Sequence, residues 1–179
     1  MKNKFLLKII SGEHRGKGLF SPPDFSVRPT SARVKESLFN IIRNDLYGAD
    51  FLDLFAGSGQ IGFEALSNGA NVLFCDKETS LVRKNAQHLG VDANILQGSF
   101  DFTLKTLSKT QKFDFIFADP PYGDGLYEDI IKNALPLLKE DGVLILEHSS
   151  DYTIPVVLNS KVISVRKYGS RSLTFLGGE

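Results

Sequence analysis

Short apolar runs alternate along this chain with segments whose apolar residues recur every three or four positions, which predicts strands and helices in turn. Phe51-Leu52-Asp53-Leu54-Phe55 is nearly continuous, too short for a helix and soon followed by glycine, as suits a strand buried on both faces of a parallel sheet. Gly57-Ser58-Gly59 then makes a turn that tolerates unusual backbone angles, and Ile61, Phe63, Ala65 and Leu66 continue at helical spacing until Gly69. The alternation goes on: strand 71–76, helix 80–89, strand 94–97, helix 100–107, strand 113–119, helix 126–138 interrupted near Pro136, and strand 142–147. The tail changes character. Residues 162–168 and 172–176 read as strands separated by Gly169-Ser170 with no helical pattern between them, so they predict an antiparallel hairpin at the sheet edge. The expected fold is α/β: a Rossmann-like, mostly parallel seven-stranded sheet ending in that hairpin.

Ahead of this body, the apolar pieces 5–10 and 18–20 flank the basic, glycine-containing stretch 11–17 and predict a small β-hairpin. Ser21-Pro22-Pro23-Asp24 breaks regular structure, and Arg28-Pro29-Thr30 leads into a helix that Thr30 or Ser31 can cap. Its expected buried stripe is Val34, Leu38, Ile41 and Ile42, which leaves Arg33, Lys35 and Arg43 to face outward. The organisation expected is an extension, residues 1–47, joined to an α/β body, residues 48–179.

Formal net charge is zero over 179 residues, yet the charge is uneven: residues 1–45 hold nine Lys or Arg against four acids. A basic extension on an acidic body suits a polyanionic partner, and a merely solvated charged face accounts for it equally well. The single cysteine, Cys75, lies in an expected strand and rules out a disulfide framework and a cysteine-rich metal site. Lys8 interrupts the apolar start, no cleavage site follows, and no stretch has the length of a membrane span, so a cytoplasmic protein is expected.

The glycines at 57, 59 and 62 satisfy G-x-G-x-x-G, with the acid Asp76 after the next strand. That pattern serves NAD, FAD and other adenosine-containing cofactors alike, and a structural glycine-rich turn is a further reading. Asp53 distinguishes among them: a carboxylate near the end of a buried strand is costly unless partnered, and a cofactor bearing a cationic amino-acid group explains it. The arrangement D-L-F-A-G-S-G resembles motif I of class I S-adenosylmethionine-dependent methyltransferases. Asp119-Pro120-Pro121-Tyr122, at the end of the fourth strand of the body, is rigid and holds an acid and an aromatic ring at fixed separation. In a doubly wound sheet the first and fourth strands flank the reversal of strand order, so this turn and the glycine loop line one crevice.

The turn resembles the D/N-P-P-Y/F motif of methyltransferases acting on exocyclic nitrogens of nucleic-acid bases. Nearly the whole chain resembles the RsmD group of 16S rRNA guanine-N2 methyltransferases. The likeness rests on Ile9-Ile10-Ser11-Gly12 with Arg15-Gly16-Lys17, on Arg28-Pro29-Thr30 with the run from Arg33 to Asn40, on the glycine loop with Glu64-Ala65-Leu66, and on Asp119-Pro120-Pro121-Tyr122. It implies S-adenosylmethionine as cofactor, with Asp53, Phe55, Ala56, Gly57, Ser58 and Gly59 about its methionine part. Asp76 and Lys77 would lie at the ribose, and Ser99 and Phe100 at the adenine; Ser99 stands where such enzymes often have an acid. Asp119 through Tyr122 would hold the base, and Arg15, Lys17, Arg28, Thr30 and Arg33 the RNA. The implied substrate is 16S rRNA or a small-subunit particle, and the implied enzyme a monomer without metal. A DNA adenine-N6 methyltransferase shares the four-residue motif, but this chain lacks room for a separate target-recognition region.

Overall fold

The computed structural model describes residues 7–21, 32–107, 111–121, 126–155, 157 and 160–178. Two short strands, β1 (Leu7–Lys8) and β2 (Gly18–Leu19), pair antiparallel and precede α1 (Ala32–Ile42). The body follows as β3 (Asp50–Leu54), α2 (Gln60–Ser67), β4 (Asn71–Asp76), α3 (Ser80–Leu89), β5 (Asn94–Gln97), α4 (Phe100–Leu107), β6 (Phe113–Ala118) and α5 (Leu126–Ala134). Three strands close it: β7 (Leu138–Ser149), β8 (Ser160–Tyr168) and β9 (Arg171–Gly178). The seven-stranded sheet has the order β5-β4-β3-β6-β7-β9-β8, parallel except for the pairings of β9. This is the Rossmann-like, mostly parallel seven-stranded sheet with an antiparallel closing hairpin that the alternation predicts.

Each face of the sheet carries its own core. Phe51, Phe115, Phe117, Ile145, Leu173 and Phe175 pack with α1, α2 and α3, while Leu52, Leu54, Ile116, Leu144, Leu146 and Leu176 pack with α4 and α5. Strands covered on both faces need apolar residues at odd and even positions, so they read as runs. Gly169 (φ 63°) supplies the left-handed first residue of the two-residue turn between β8 and β9, as a type II′ hairpin requires.

Three expectations fail here. The helix expected to Leu138 stops at Ala134, because a proline ring clashes with the carbonyl four residues before it; a 3-10 turn over Leu135–Leu137 follows, and Leu138 opens β7. Strand β7 begins before Gly142 and bulges against Phe113; a Cβ at Gly142 would lie 2.7 Å from the Phe113 carbonyl oxygen. In α1 the buried residues are Val34, Lys35, Leu38, Phe39 and Ile42, so Ile41 is 43% exposed and Lys35 is inside. Lys35 stands on the inner face because the helical period carries 34/35, 38/39 and 42 to one side.

The buried lysine has work there. Its Nζ is 3.3 Å from Glu64 Oε2, with side-chain exposures of 2% and 0%, and it donates to the Lys8 carbonyl. Glu64 also accepts from the backbone N–H groups of Ile10 and Ser11 at 2.8–3.1 Å and from the Ser11 hydroxyl at 2.8 Å. Burial lowers the Lys35 pKa, and the Glu64 charge and hydrogen bond oppose that shift. Glu64 lies on α2, so the extension is fastened to the helix behind the glycine loop. The expected caps Thr30 and Ser31 lie outside the described residues.

Candidate active site

Strand β3 brings Asp53 to the crevice almost fully buried, and its Oδ2 accepts the Gly62 N–H at 2.8 Å. Gly62 must be glycine for that contact: a Cβ would lie 2.8 Å from Asp53 Oδ2 and 2.3 Å from the Phe74 ring. Burial pushes the Asp53 carboxyl up to about 7; the Gly62 N–H pulls it down, and the charges of Asp76 and Asp119 push it further up. Such a carboxyl suits a cationic ligand group, which would be repaid for displacing its proton.

Past β3 the chain bends sharply. Phe55 has φ 73°, the one non-glycine in the left-handed region among the described residues, a conformation costing on the order of 1–3 kcal/mol. The bend lets the N–H groups of Phe55 and Ala56 both donate to the Cys75 carbonyl at 3.0 Å. Gly57 donates its N–H to Asp76 Oδ2 at 2.8 Å, and Asp76 Oδ1 accepts from Glu78 N–H at 3.0 Å. Asp76 therefore braces the loop, and the remaining lone pairs of its carboxylate stay available to hydroxyls. A Cβ at Gly57 would meet nothing within 4 Å, so the loop presents an open backbone face, a cradle for a ligand. The Phe55 and Phe100 rings stand with centroids 5.7 Å apart as one apolar wall. The Ser99 hydroxyl accepts the Phe102 N–H at 3.4 Å, capping α4, and Lys77 is exposed while its carbonyl accepts from Gln97.

One buried residue absent from the sequence reading ties this loop to the extension. Asn85 of α3 donates through Nδ2 to the carbonyls of Ser58 at 2.8 Å and Phe20 at 3.1 Å, and its Oδ1 accepts the Phe20 N–H at 2.7 Å. Polar buried side chains at the inner positions of an amphipathic helix were the available signal.

Asp119 follows β6, the neighbour of β3. Asp53 pairs with Phe117, and Asp119, two residues on, continues toward the same face. Its side chain is 24% exposed, and burial pushes its carboxyl up to about 6 against the opposing Arg171 charge. Pro120 is buried, Pro121 is exposed, and Tyr122 lies outside the described residues. Arg171, and beyond it Glu147, extend the charged cluster at Asp119: Arg171 Nη1 is 3.8 Å from Asp119 Oδ1 and 3.4 Å from Glu147 Oε1. The sequence reading passed over both.

On the extension, Arg15 and Lys17 are exposed at the hairpin tip and Arg33 is exposed on α1, whereas Arg28 and Thr30 lie outside the described residues. Lys17 Nζ is within 3.1 Å of His14 Nδ1 and donates to the Leu89 carbonyl at 3.5 Å. The tip is fixed by Glu13 N–H donating to the Ser67 carbonyl at 2.8 Å and His14 N–H to Ser67 Oγ at 2.9 Å. Among the described residues no cluster of His, Cys, Asp and Glu could hold a metal ion, and no helix is long and apolar enough to cross a membrane.

The chain is similar to several known proteins. A family described as conserved hypothetical protein 95 matches residues 7–177. Ribosomal RNA small subunit methyltransferase D of Haemophilus influenzae is 39% identical over 133 residues, 70% of this chain and 68% of that protein. A hypothetical protein of Thermus thermophilus, TTHA0928, has a similar solved structure, with a TM-score of 0.84 and 28% identity over 96% of this chain and 99% of that one. The fold is also that of Thermus thermophilus RsmC, a 16S rRNA N2 G1207 methyltransferase solved with AdoMet and guanosine. That match has a TM-score of 0.69 and 19% identity over 87% of this chain and 45% of the other. With a family match spanning residues 7–177 and a relative 39% identical over 133 residues, the chain belongs to the RsmD family of S-adenosylmethionine-dependent rRNA methyltransferases.

Proposed function

We propose that this protein methylates the exocyclic N2 amine of a guanine in 16S rRNA, within the small ribosomal subunit or its precursor particle, acting as a cytoplasmic monomer. The observation that carries the reading is the meeting of two carboxyl groups across the strand-order reversal: Asp53 beside the open glycine loop, and Asp119 at the end of the adjacent strand. Asp53 and the loop from Phe55 to Gly59 would hold the methionine part of the cofactor, Asp76 the ribose, and Phe55 with Phe100 the adenine side. When bound, S-adenosylmethionine supplies an electrophilic methyl group. An exocyclic amine is a weak nucleophile because its lone pair is delocalised into the ring. Asp119 and the Pro120 carbonyl are acceptors suited to its two N–H bonds and to a pyramidal nitrogen.

With a carboxyl near 6, Asp119 is largely ionised at neutral pH and can also receive the proton that the product must lose. Positioning supplies the rest of the acceleration. A guanine paired in a duplex cannot enter such a crevice, so the base is flipped or already unpaired. The decisive experiment is transfer of labelled methyl to small-subunit particles, free 16S rRNA and DNA, followed by mass mapping of the modified nucleoside. N2-methylguanine in 16S rRNA is the expected product; N6-methyladenine in DNA would overturn the proposal.

A further inference from the structure

The closing hairpin has a consequence for the crevice that follows from strand direction alone. In a parallel sheet the carboxyl ends of the strands line the site, and a parallel neighbour would begin at the opposite edge. Strand β9 is antiparallel to β7, so its first residue, Arg171, pairs with Ser149 at the carboxyl end of β7. The tight turn at Gly169-Ser170 thus delivers a guanidinium to the rim of the site.

Three carboxyl groups already stand there on one face of adjacent strands. Asp53 is on β3, Asp119 follows β6, and Glu147, which pairs with Leu173, is on β7 and 1% exposed. Like charges so placed disfavour one another, and a cation among them decides which can remain ionised. Arg171 is that cation: it reaches Glu147 at 3.4 Å and Asp119 at 3.8 Å, with only 16% of its side chain exposed. Guanidinium stays protonated in any such setting, which lysine does not guarantee.

We propose that Arg171, anchored by the buried Glu147 carboxylate, is a positioning residue that holds Asp119 in place as an anionic acceptor for the entering amine. This rests on the reading of Asp119 given above. Among the described residues, the titratable and charged groups about Asp119 are Arg171 from β9, the Glu147 of β7 that Arg171 also reaches, Asp53 from β3 and Tyr127 from α5, whose phenol is pushed up to about 12 by burial first and by the Asp119 charge next. Only Arg171 among them favours the ionised form of Asp119.

The test uses the full chain with S-adenosylmethionine and small-subunit particles, comparing Arg171→Met, Arg171→Lys and Glu147→Gln with wild type. Arg171→Met is expected to lower kcat about 100-fold while cofactor affinity, measured by calorimetry, stays within about threefold. The acid limb of the kcat profile should move up by about one pH unit, Arg171→Lys should restore part of both, and Glu147→Gln should fall between. Carbon-13 NMR of the Asp119 carboxyl reads the same shift without turnover, and covers a variant that folds but does not react. An unchanged acid limb and an unmoved Asp119 titration in Arg171→Met would overturn the inference. If Asp119→Ala turns over at the wild-type rate, the reading of Asp119 itself fails; if Asp119→Ala is inactive and Arg171→Met is normal, only the role of Arg171 fails.

Discussion

Glu64 and Glu147 are both buried glutamates with a basic partner from a distant part of the chain, yet they are built differently. Around Glu64 the separations are those of hydrogen bonds, 2.8–3.1 Å to three donors of the N-terminal hairpin, with Lys35 Nζ at 3.3 Å. Around Arg171 the separations from Glu147 and Asp119 are 3.4 and 3.8 Å, beyond the roughly 2.7–2.9 Å of a charge-assisted hydrogen bond. Glu64 is surrounded by donors that must be satisfied for the extension to dock, so its charge serves stability. Arg171 acts at a distance where the field persists but the carboxylate keeps capacity for another donor, as a site that must receive an amine requires.

The largest effect expected from breaking this contrast is at Glu64. Glu64→Ala leaves Lys35 buried without its counter-charge and two backbone N–H groups without acceptors, and should cost about 3–5 kcal/mol in urea unfolding. The double variant Lys35→Met, Glu64→Gln should recover part of that loss, because an unpaired buried charge costs more than a missing pair. A loss below about 1 kcal/mol in Glu64→Ala would show that the extension docks by apolar contacts alone.

Next in size is Asp119. Asp119→Ala should lose roughly 3–4 kcal/mol of transition-state stabilisation, on the order of 100- to 1,000-fold in kcat, with cofactor binding largely kept. Asp119→Asn should be milder, since an amide oxygen still accepts one hydrogen bond. Labelled-methyl transfer run beside calorimetry on the same variants separates the two effects.

A smaller effect comes from Asp53, whose carboxyl lies near 7 through burial. In the unfolded chain the same group titrates near 3.8, so the folded state holds its proton more tightly and stability falls as pH rises from about 4 through about 7. A cationic cofactor needs the ionised form, so affinity should rise with pH up to about 7, by up to about tenfold per unit below it. Asp53→Asn should flatten that dependence. Calorimetric titration of S-adenosylhomocysteine between pH 5.5 and 8 measures it, and a slope unchanged in Asp53→Asn would place the titrating group elsewhere.

The sheet was legible because strands covered on both faces appear as short apolar runs, and because glycines at 57 and 59 permit the positive-φ turn, and glycine at 62 the close approach to Asp53, that end the first strand of the body in a loop. The misplaced start of β7 has a local cause: Lys139-Glu140-Asp141 is polar, and that stretch belongs to the sheet through a bulge that a periodicity of two does not reveal. Lys35 was misassigned because charge was weighed before phase, although its place between Val34 and Leu38 puts it on the buried side. Glu147 carried the same signal as Asp53, an acid near the end of an apolar strand, and the same argument would have found it. Arg171 could not be placed that way. Its role depends on β9 running antiparallel, which pairs residues 147–149 with 171–173 across the crevice rim.

The gentlest test concerns the exposed cations Arg15, Lys17 and Arg33, which differ from Lys35 in facing solvent and so can meet phosphates. The hairpin tip that carries Arg15 and Lys17 is fixed to α2 through Ser67, and α2 begins at the glycine loop, so RNA held at the tip would be held in register with the cofactor. Removing one of these charges should reduce the salt slope of RNA binding by about one unit and leave cofactor affinity alone, because each phosphate contact releases about one counterion. Lys17→Ala is the sharper probe, since it also gives up hydrogen bonds to His14 and Leu89. A change in thermal stability without a change in salt slope would assign Lys17 to the fold, as with Lys35, whereas a lower slope at unchanged stability would assign it to RNA. Filter binding of a 16S rRNA fragment between 50 and 200 mM salt, with Lys35→Met as the stability-only control, decides between them.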